Sequence, residues 1–210
     1  MSTADDGTKS RVLDAAGAVF AEHGFDGATI REICARAEVN LAAVNYHFGD
    51  KERLYKAVIR HAHELAIAQV PLPNWDDSTL PSQKLNDFIA NMLQRMLVMQ
   101  RLPWQSRLMM REFLQPRSAC LELVEDYIRP HFRLLVSIVG EIMPPDTPED
   151  RLYKAAFSVV GQCLFYKMNG PVVELLLPDD AVNQHFQIES LAAHIYEFTL
   201  RALTAGSDTP

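Results

Sequence analysis

No apolar run in the chain reaches the ~18 residues that a membrane-spanning helix needs, so a helical membrane protein is not expected. The opening MSTADDGTKS is polar and acidic, unlike the basic start and apolar stretch of a secretory signal. The expected location is therefore the cytoplasm. Cysteine is scarce: Cys34, Cys120 and Cys163 lie far apart, with no CxxC spacing. That argues against a disulfide framework or a zinc site and for reduced cysteines on buried helix faces. Positive charge is not in excess. The net charge is −7, which argues against a non-specific nucleic-acid binder. The first sixty residues are close to neutral, with eight Lys+Arg against nine Asp+Glu. A protein that touches DNA over a small patch needs only a local group of cations.

Strand signals are missing too. There is no sustained alternation of period two and no Asn-Gly or Asp-Gly hairpin between strand-like runs. Catalytic motifs are missing: no GxSxG, no Walker-type phosphate loop and no HExxH. No enzyme and no cofactor are expected. His61 and Glu64 share a helical face with His63 nearby, but spacing supplies no third ligand, so no metal site is expected. Cys163 as a thiol sensor lacks a neighbour to lower its pKa, and a packing role fits it better. There is no internal repeat and no low-complexity tract.

What remains is helix. The chain has 210 residues, 48% hydrophobic and 22% charged, as in a soluble globular protein of one or two compact parts. Apolar residues recur at helical spacing almost throughout. A first helix is expected from about 8 to 23, with Val12, Ala16, Val19 and Phe20 on its apolar stripe and Gly24 as its stop. Thr29 can cap a second, with Glu32 at capping-box spacing. Asn40 can cap a third, LAAVNYHF, and Asp50 a fourth that runs to about residue 70. PLPNWDDSTLPS then reads as a linker, with a soft boundary at 70–80. Five more helices are expected near 82–101, 104–114, 118–143, 149–168 and 181–204, with Pro130 kinking the third of these. The expected fold is all-α, with about nine helices. A DNA-binding domain occupies 1–55, a ligand-binding and dimerisation domain 56–210, and the helix at 50–70 links them.

Two short helices joined by the turn Ala37-Glu38-Val39-Asn40 describe a helix-turn-helix. Its second helix suits the major groove. Thr29 and Asn40 stand at helix starts, where phosphate oxygens bind. Tyr46 and His47 can donate to phosphates, and Lys51 brings a cation to the next helix. Asn45 can pair with adenine, and Arg31 can reach a guanine or a phosphate. Leu41, Ala42 and Ala43 would read thymine methyls or groove shape. Each residue alone is usually a solvated surface group; the joint spacing carries the signal.

That spacing resembles a known family. GFDGATIREICARAEVNLAAVNYHFGDKERLYKAVI is similar to the DNA-binding segment of TetR-family transcription regulators. The matching features are Gly24-Phe25, Thr29-Ile30, Ile33, Ala37, Val39, Tyr46-His47-Phe48 and Lys51-Glu52-x-Leu54. The resemblance implies phosphate contacts from Thr29, Tyr46, His47 and Lys51. Asn45 departs from the tyrosine or leucine usual before the aromatic pair. Further on, SRLMMREFLQP and FSVVGQCLFYKMNGPVVELLL resemble the C-terminal domain of the CecR-type subgroup. This implies a small-molecule sensor. Pocket candidates are Trp104, Arg107, Met110, Arg111, Phe113, Tyr127, His131, Gln162 and Tyr166, a mix of adaptable apolar surface and polar handles. Such a stripe also serves as plain core. The resemblance further implies a homodimer built on the last two long helices, through Ala155, Ala156, Val159, Val160, Leu191, Ile195 and Phe198. The expected partners are double-stranded operator DNA and a small-molecule effector, and the expected action is ligand-released repression. The alternative is an all-helical interaction protein that keeps a helix-turn-helix as scaffold.

Overall fold

The structure is a computed structural model that describes residues 3–98, 103–178 and 186–205. It is helical throughout, with no strand among the described residues. The helices are α1 (Thr3–Gly27), α2 (Ile30–Ala37), α3 (Leu41–Phe48), α4 (Lys51–Gln69), α5 (Pro81–Val98) and α6 (Pro103–Leu114). Then come α7 (Ser118–Leu123), a π-helical turn (Val124–Ile128), α8 (Arg129–Ile142), α9 (Glu149–Leu176) and α10 (Ile188–Thr204). Taken as one helix interrupted by the π turn, α7 to α8 is the expected 118–143 segment, which makes nine helices among the described residues. Pro130 accounts for the π turn. It lacks an N–H and its ring crowds the carbonyl one turn earlier, so the ladder re-forms as a π turn just before it.

Three bounds differ from the expected ones. The first helix already begins at Thr3, and its predicted stop is a break rather than an end. Gly24 has φ 71° and ψ 177°, where a side chain would be strained, and a last helical turn follows it. Helix α9 does not end before Pro171. It breaks locally at Asn169 (φ −113°, ψ 16°), and Pro171 falls in the first turn of the continuing segment, where no N–H is needed. The last helix begins at Ile188, and the expected start at 181 lies outside the described residues.

The chain forms two compact units. The first is Met1–Gln69 with Val98–Tyr127, and the second Val70–Leu97 with Ile128–Pro210. Thus α4, α6 and α7 stay with the helix-turn-helix, and the chain crosses between the units at three places rather than one. The last crossing falls in the π turn.

The first unit closes around Val12, Val19, Phe20, Ile33, Val44, Leu54, Val58 and Leu108, all nearly inaccessible. Burial of each such side chain contributes ~1.5–3 kcal/mol. Tyr55 meets Phe20 and Phe25 edge-on at 4.8 and 5.1 Å. Its hydroxyl donates to Glu112, a carboxylate only 1% exposed. Burial, reinforced by Glu112, pushes the Tyr55 phenol far above its ordinary range, so it stays a donor. The second unit packs α5, α8, α9 and α10 around Leu85, Ile89, Leu93, Leu135, Ile138, Val159, Cys163 and Ile195. Burial lifts the Cys163 thiol to about 12, which fits packing rather than sensing. Residues 70–80 are more than a linker. Asn91 donates to the Pro71 carbonyl (2.7 Å), Arg95 to the Val70 carbonyl (2.6 Å) and the Trp75 indole to Asp87 (3.1 Å). These bonds pin the segment to α5.

Candidate nucleic-acid interface

Local capping builds the corner between α2 and α3. Thr29 is extended, and its hydroxyl oxygen accepts from the Glu32 N–H at 3.2 Å. The other half of the capping box is not made, because Glu32 turns to Arg36 (2.9 Å) and His23 (3.3 Å) instead. Glu38 ends α2 in the left-handed region (φ 54°, ψ 46°), and the Val39 N–H returns to the Cys34 carbonyl at 3.0 Å. Asn40 then caps α3, its side-chain oxygen accepting from the Ala43 N–H at 2.9 Å. Asp50 caps α4 in the same way through the Arg53 N–H at 2.8 Å.

Val44 and Phe48 anchor α3 in the core. The opposite face is therefore presented outward. Leu41, Ala42, Asn45 and Tyr46 are exposed on it, Tyr46 by 79% and Leu41 by 55%. The Tyr46 ring meets only the edge of its neighbour His47, at 5.1 Å, among the aromatic contacts of the described residues. Ala43 is half-buried, whereas Thr29, Arg31 and Asn40 are exposed. Arg31 makes no ion pair among the described residues. Arg36 does: it forks onto Glu22 at 2.9 and 2.7 Å and also bridges to Glu32. Its guanidinium holds the Glu22 carboxyl below the usual range. Glu22, His23 and Glu32 come within 4.8 Å of one another, a spacing a metal would accept, but Arg36 already answers that charge.

Two expected contacts are turned inward. His47 has only 10% of its side chain exposed and stands 3.3 Å from the Asp5 carboxylate. Lys51 lies over the Phe25 ring, 4.8 Å from its centroid, and donates to the Asp26 carbonyl at 3.4 Å. Arg117 occupies the same neighbourhood. It pairs with Asp26, and its guanidinium sits 5.0 Å from the Phe25 centroid. Sequence reasoning missed Asp5, Asp26 and Arg117. Only the Gly24-Phe25 match hinted at this corner, and nothing in the spacing ties residue 117 to it.

The pocket candidates divide between the units. In the first, the Trp104 ring lies on Gly17 of α1, so close that a Cβ there would stand 2.4 Å from it. The Arg111 guanidinium lies similarly against Gly24 at 2.9 Å. Met110 is half-buried and Arg107 exposed. The Tyr127 ring lies tilted against His63, 4.3 Å between centroids, and its hydroxyl donates to Glu64 at 3.3 Å; burial raises its pKa. Tyr127 also lines a cleft with Lys56, Arg60 and Glu122 that holds about 10 Å³ of free space, one water's worth. The Phe113 side chain lies outside the described residues. In the second unit, the His131 ring meets the Arg95 guanidinium at 2.7 Å. Gln162 reaches Thr199 at 3.4 Å, and Tyr166 packs beside Phe165 and Phe186.

Of the expected dimer residues, Ala156, Val159, Leu191 and Ile195 are buried in the core of their own unit. Ala155 and Val160 are half-buried, and Phe198 is 62% exposed. The exposed apolar stripe of α9 is instead Tyr153, Phe157, Phe165, Met168 and Val172. Tyr153, Phe157, Phe165 and Met168 are spaced four, eight and three residues apart and share one helical face, with Gly161 in the gap; Val172 follows the break at Asn169.

A capped two-helix corner with a bare second helix, on an all-helical chain, defines the class: a helix-turn-helix regulator. Comparison with known proteins agrees. Residues 12–58 match the family model of bacterial regulatory proteins of the TetR family. Residues 81–203 match that of the C-terminal domain of the HTH-type transcriptional dual regulator CecR. The chain belongs to the TetR family, with a CecR-type C-terminal domain, and the proteins it matches are transcription regulators. It is 34% identical over 73 residues to the transcriptional regulator UidR of Escherichia coli K12, a match spanning 35% of this chain and 37% of that protein. It is 27% identical over 177 residues to the dual regulator CecR of Shigella flexneri, spanning 80% and 78%. Among solved structures, a TetR-family regulatory protein from Rhodococcus RHA1 superposes with a TM-score of 0.66 at 19% identity, covering 97% of this chain and 98% of that one. No described helix is long and apolar enough to cross a membrane.

Proposed function

We propose that the chain works in the cytoplasm as a homodimeric repressor that binds a pseudo-palindromic operator and is released by a small molecule. The observation that carries the reading is the outward face of α3. Leu41, Ala42, Asn45 and Tyr46 stand bare, and two capped helix starts, at Thr29 and Asn40, lie beside them. Asn45 and the small apolar residues meet base edges. Thr29, Arg31, Asn40, Tyr46 and Lys51 meet phosphates. His47 takes part only if it leaves Asp5. Residues 1–55 thus read DNA, while 56–210 hold effector and partner. The exposed stripe on α9, with Phe198 of α10, supports pairing of two copies. Their recognition helices would lie about 34–36 Å apart, one turn of DNA. Effector binds better to a conformation with another spacing, so operator occupancy falls as effector rises.

The first test is selection of genomic DNA fragments by the purified protein near physiological salt. A single enriched pseudo-palindrome is expected. On that fragment, the double variant Tyr46→Ala, Lys51→Ala should remain a folded dimer. Its affinity should fall at least about tenfold, with a salt slope shallower by about one per lost phosphate cation. Unchanged affinity would remove α3 and the start of α4 from the contact surface.

A further inference from the structure

Phe25 carries a cation on its ring from each of two distant parts of the chain. Lys51 approaches from the start of α4, 4.8 Å from the centroid, and Arg117 from the corner between α6 and α7, 5.0 Å away. Both also reach Asp26. Lys51 donates to its backbone carbonyl at 3.4 Å, and Arg117 pairs with its carboxylate. Arg117 is itself held in place. Its backbone N–H donates to the buried Glu112 carboxylate at 3.4 Å, whose other oxygen accepts from Tyr55. Tyr55 in turn meets Phe25 edge-on at 5.1 Å. A closed set of contacts therefore joins the α6–α7 corner to the cation proposed to hold a phosphate.

The Asp26 side chain is 79% exposed. Unpaired, it would place a negative charge beside Lys51, within a Debye length (about 8–10 Å) of any phosphate that Lys51 holds. We propose that Arg117 is a positioning residue of the DNA interface: it masks the Asp26 carboxylate and steadies Phe25, so that Lys51 meets a phosphate without a competing charge. The inference rests on the DNA-contact reading above. It also assigns that reading a point of control. A shift of the α6–α7 corner that draws Arg117 away unmasks Asp26 and weakens operator binding, with no change in the recognition helix.

The test uses the full-length protein and the DNA fragment it selects, with affinity measured by fluorescence anisotropy at low and high salt. Arg117→Ala is expected to weaken binding about three- to tenfold at low salt and less at high salt. Asp26→Asn breaks the same ion pair, yet it should bind as tightly as the parent or more so. The double variant Asp26→Asn, Arg117→Ala should return to within about twofold of the parent. A control restores net charge in the other compact unit: Asp77→Asn with Arg117→Ala should not recover affinity. Circular dichroism checks that each variant is folded. The proposal is overturned if Arg117→Ala binds like the parent, if Asp26→Asn weakens binding as Arg117→Ala does, or if Asp77→Asn rescues equally well. A parent protein that selects no fragment would instead overturn the DNA reading itself.

Discussion

Glu38 is poorly suited to its place. It takes φ 54° without being glycine, and among the described residues it is the one non-glycine to do so. That conformation costs a side chain roughly 1–2 kcal/mol. Its carboxylate also stands at the C-terminal end of α2, where the helix dipole disfavours negative charge by about 0.3–1 kcal/mol. The turn persists because the Glu38 and Val39 N–H groups return to carbonyls of α2 and because Asn40 must be placed to cap α3. Glu38→Gly is therefore expected to stabilise the protein by roughly 1 kcal/mol after the extra freedom of glycine in the unfolded chain is deducted. Glu38→Ala removes only the charge and should gain a few tenths. Urea unfolding midpoints of the two variants decide this, and a destabilised Glu38→Gly would show that the side chain has a contact worth more than the strain. The corner was legible in the sequence because its determinants are local. Thr29, Asn40 and Asp50 each bond an N–H three residues on, so residue type and spacing suffice. His47 was not legible in this way. Its inward turn depends on Asp5, far from it in the chain, and spacing within α3 says nothing of that.

Among the elements, α6 shows where sequence reading stops. Its extent was plain from Pro103, Pro116 and the apolar spacing between them. Which helix it serves was not. Trp104 and Arg111 look like pocket residues by type, yet both lie on glycines of α1, Gly17 and Gly24. A glycine in mid-helix gives no sign in sequence of the ring that will rest on it. The pairing makes a sharp prediction. Gly17→Ala improves helix propensity by ~1 kcal/mol, but it puts a methyl 2.4–2.6 Å from three atoms of the Trp104 ring. Overpacking of this kind costs ~1–3 kcal/mol. A net loss of about 1–2 kcal/mol is expected, with a shift in Trp104 fluorescence. Trp104→Leu in the same chain should return much of that loss by vacating the space. Additive losses in the double variant would mean that the two residues do not meet. Helix α9 gives the complementary lesson. Pro171 suggested an end, but Asn169 breaks the ladder two residues earlier, so the proline meets no obligatory N–H and the helix resumes.

At the scale of the whole molecule, the open question is what covers the apolar face of α9. Tyr153, Phe157, Phe165, Met168 and Val172 leave large side chains in water, and Phe157 alone is 61% exposed. A chain with a net charge of −7 has ample polar residues to place there. An aligned stripe of this kind is therefore a mark of an interface rather than of chance exposure. A second copy is the occupant proposed here, since two-fold pairing would bring two α3 helices to one DNA site. Four of the residues expected from sequence lie in the core of their own unit, and α9 is apolar on two faces. Helical periodicity cannot say which face looks into the chain and which looks out; Val159 and Cys163 turn inward, and Phe157 and Phe165 turn outward. Phe157→Glu separates the two faces by experiment. On the outward face, a glutamate leaves each unit's core intact, so helical content and monomer folding should be retained. In a dimer it would bury an unpaired charge in each copy, at a cost of ~3–5 kcal/mol for each. Dimerisation should weaken at least about a hundredfold, as read by sedimentation equilibrium. Operator affinity should fall with it, because a monomer meets only one half-site. Val159→Glu should instead unfold the second unit. A Phe157→Glu protein that stays dimeric and binds the operator normally would place the interface elsewhere, and the stripe would then need another partner.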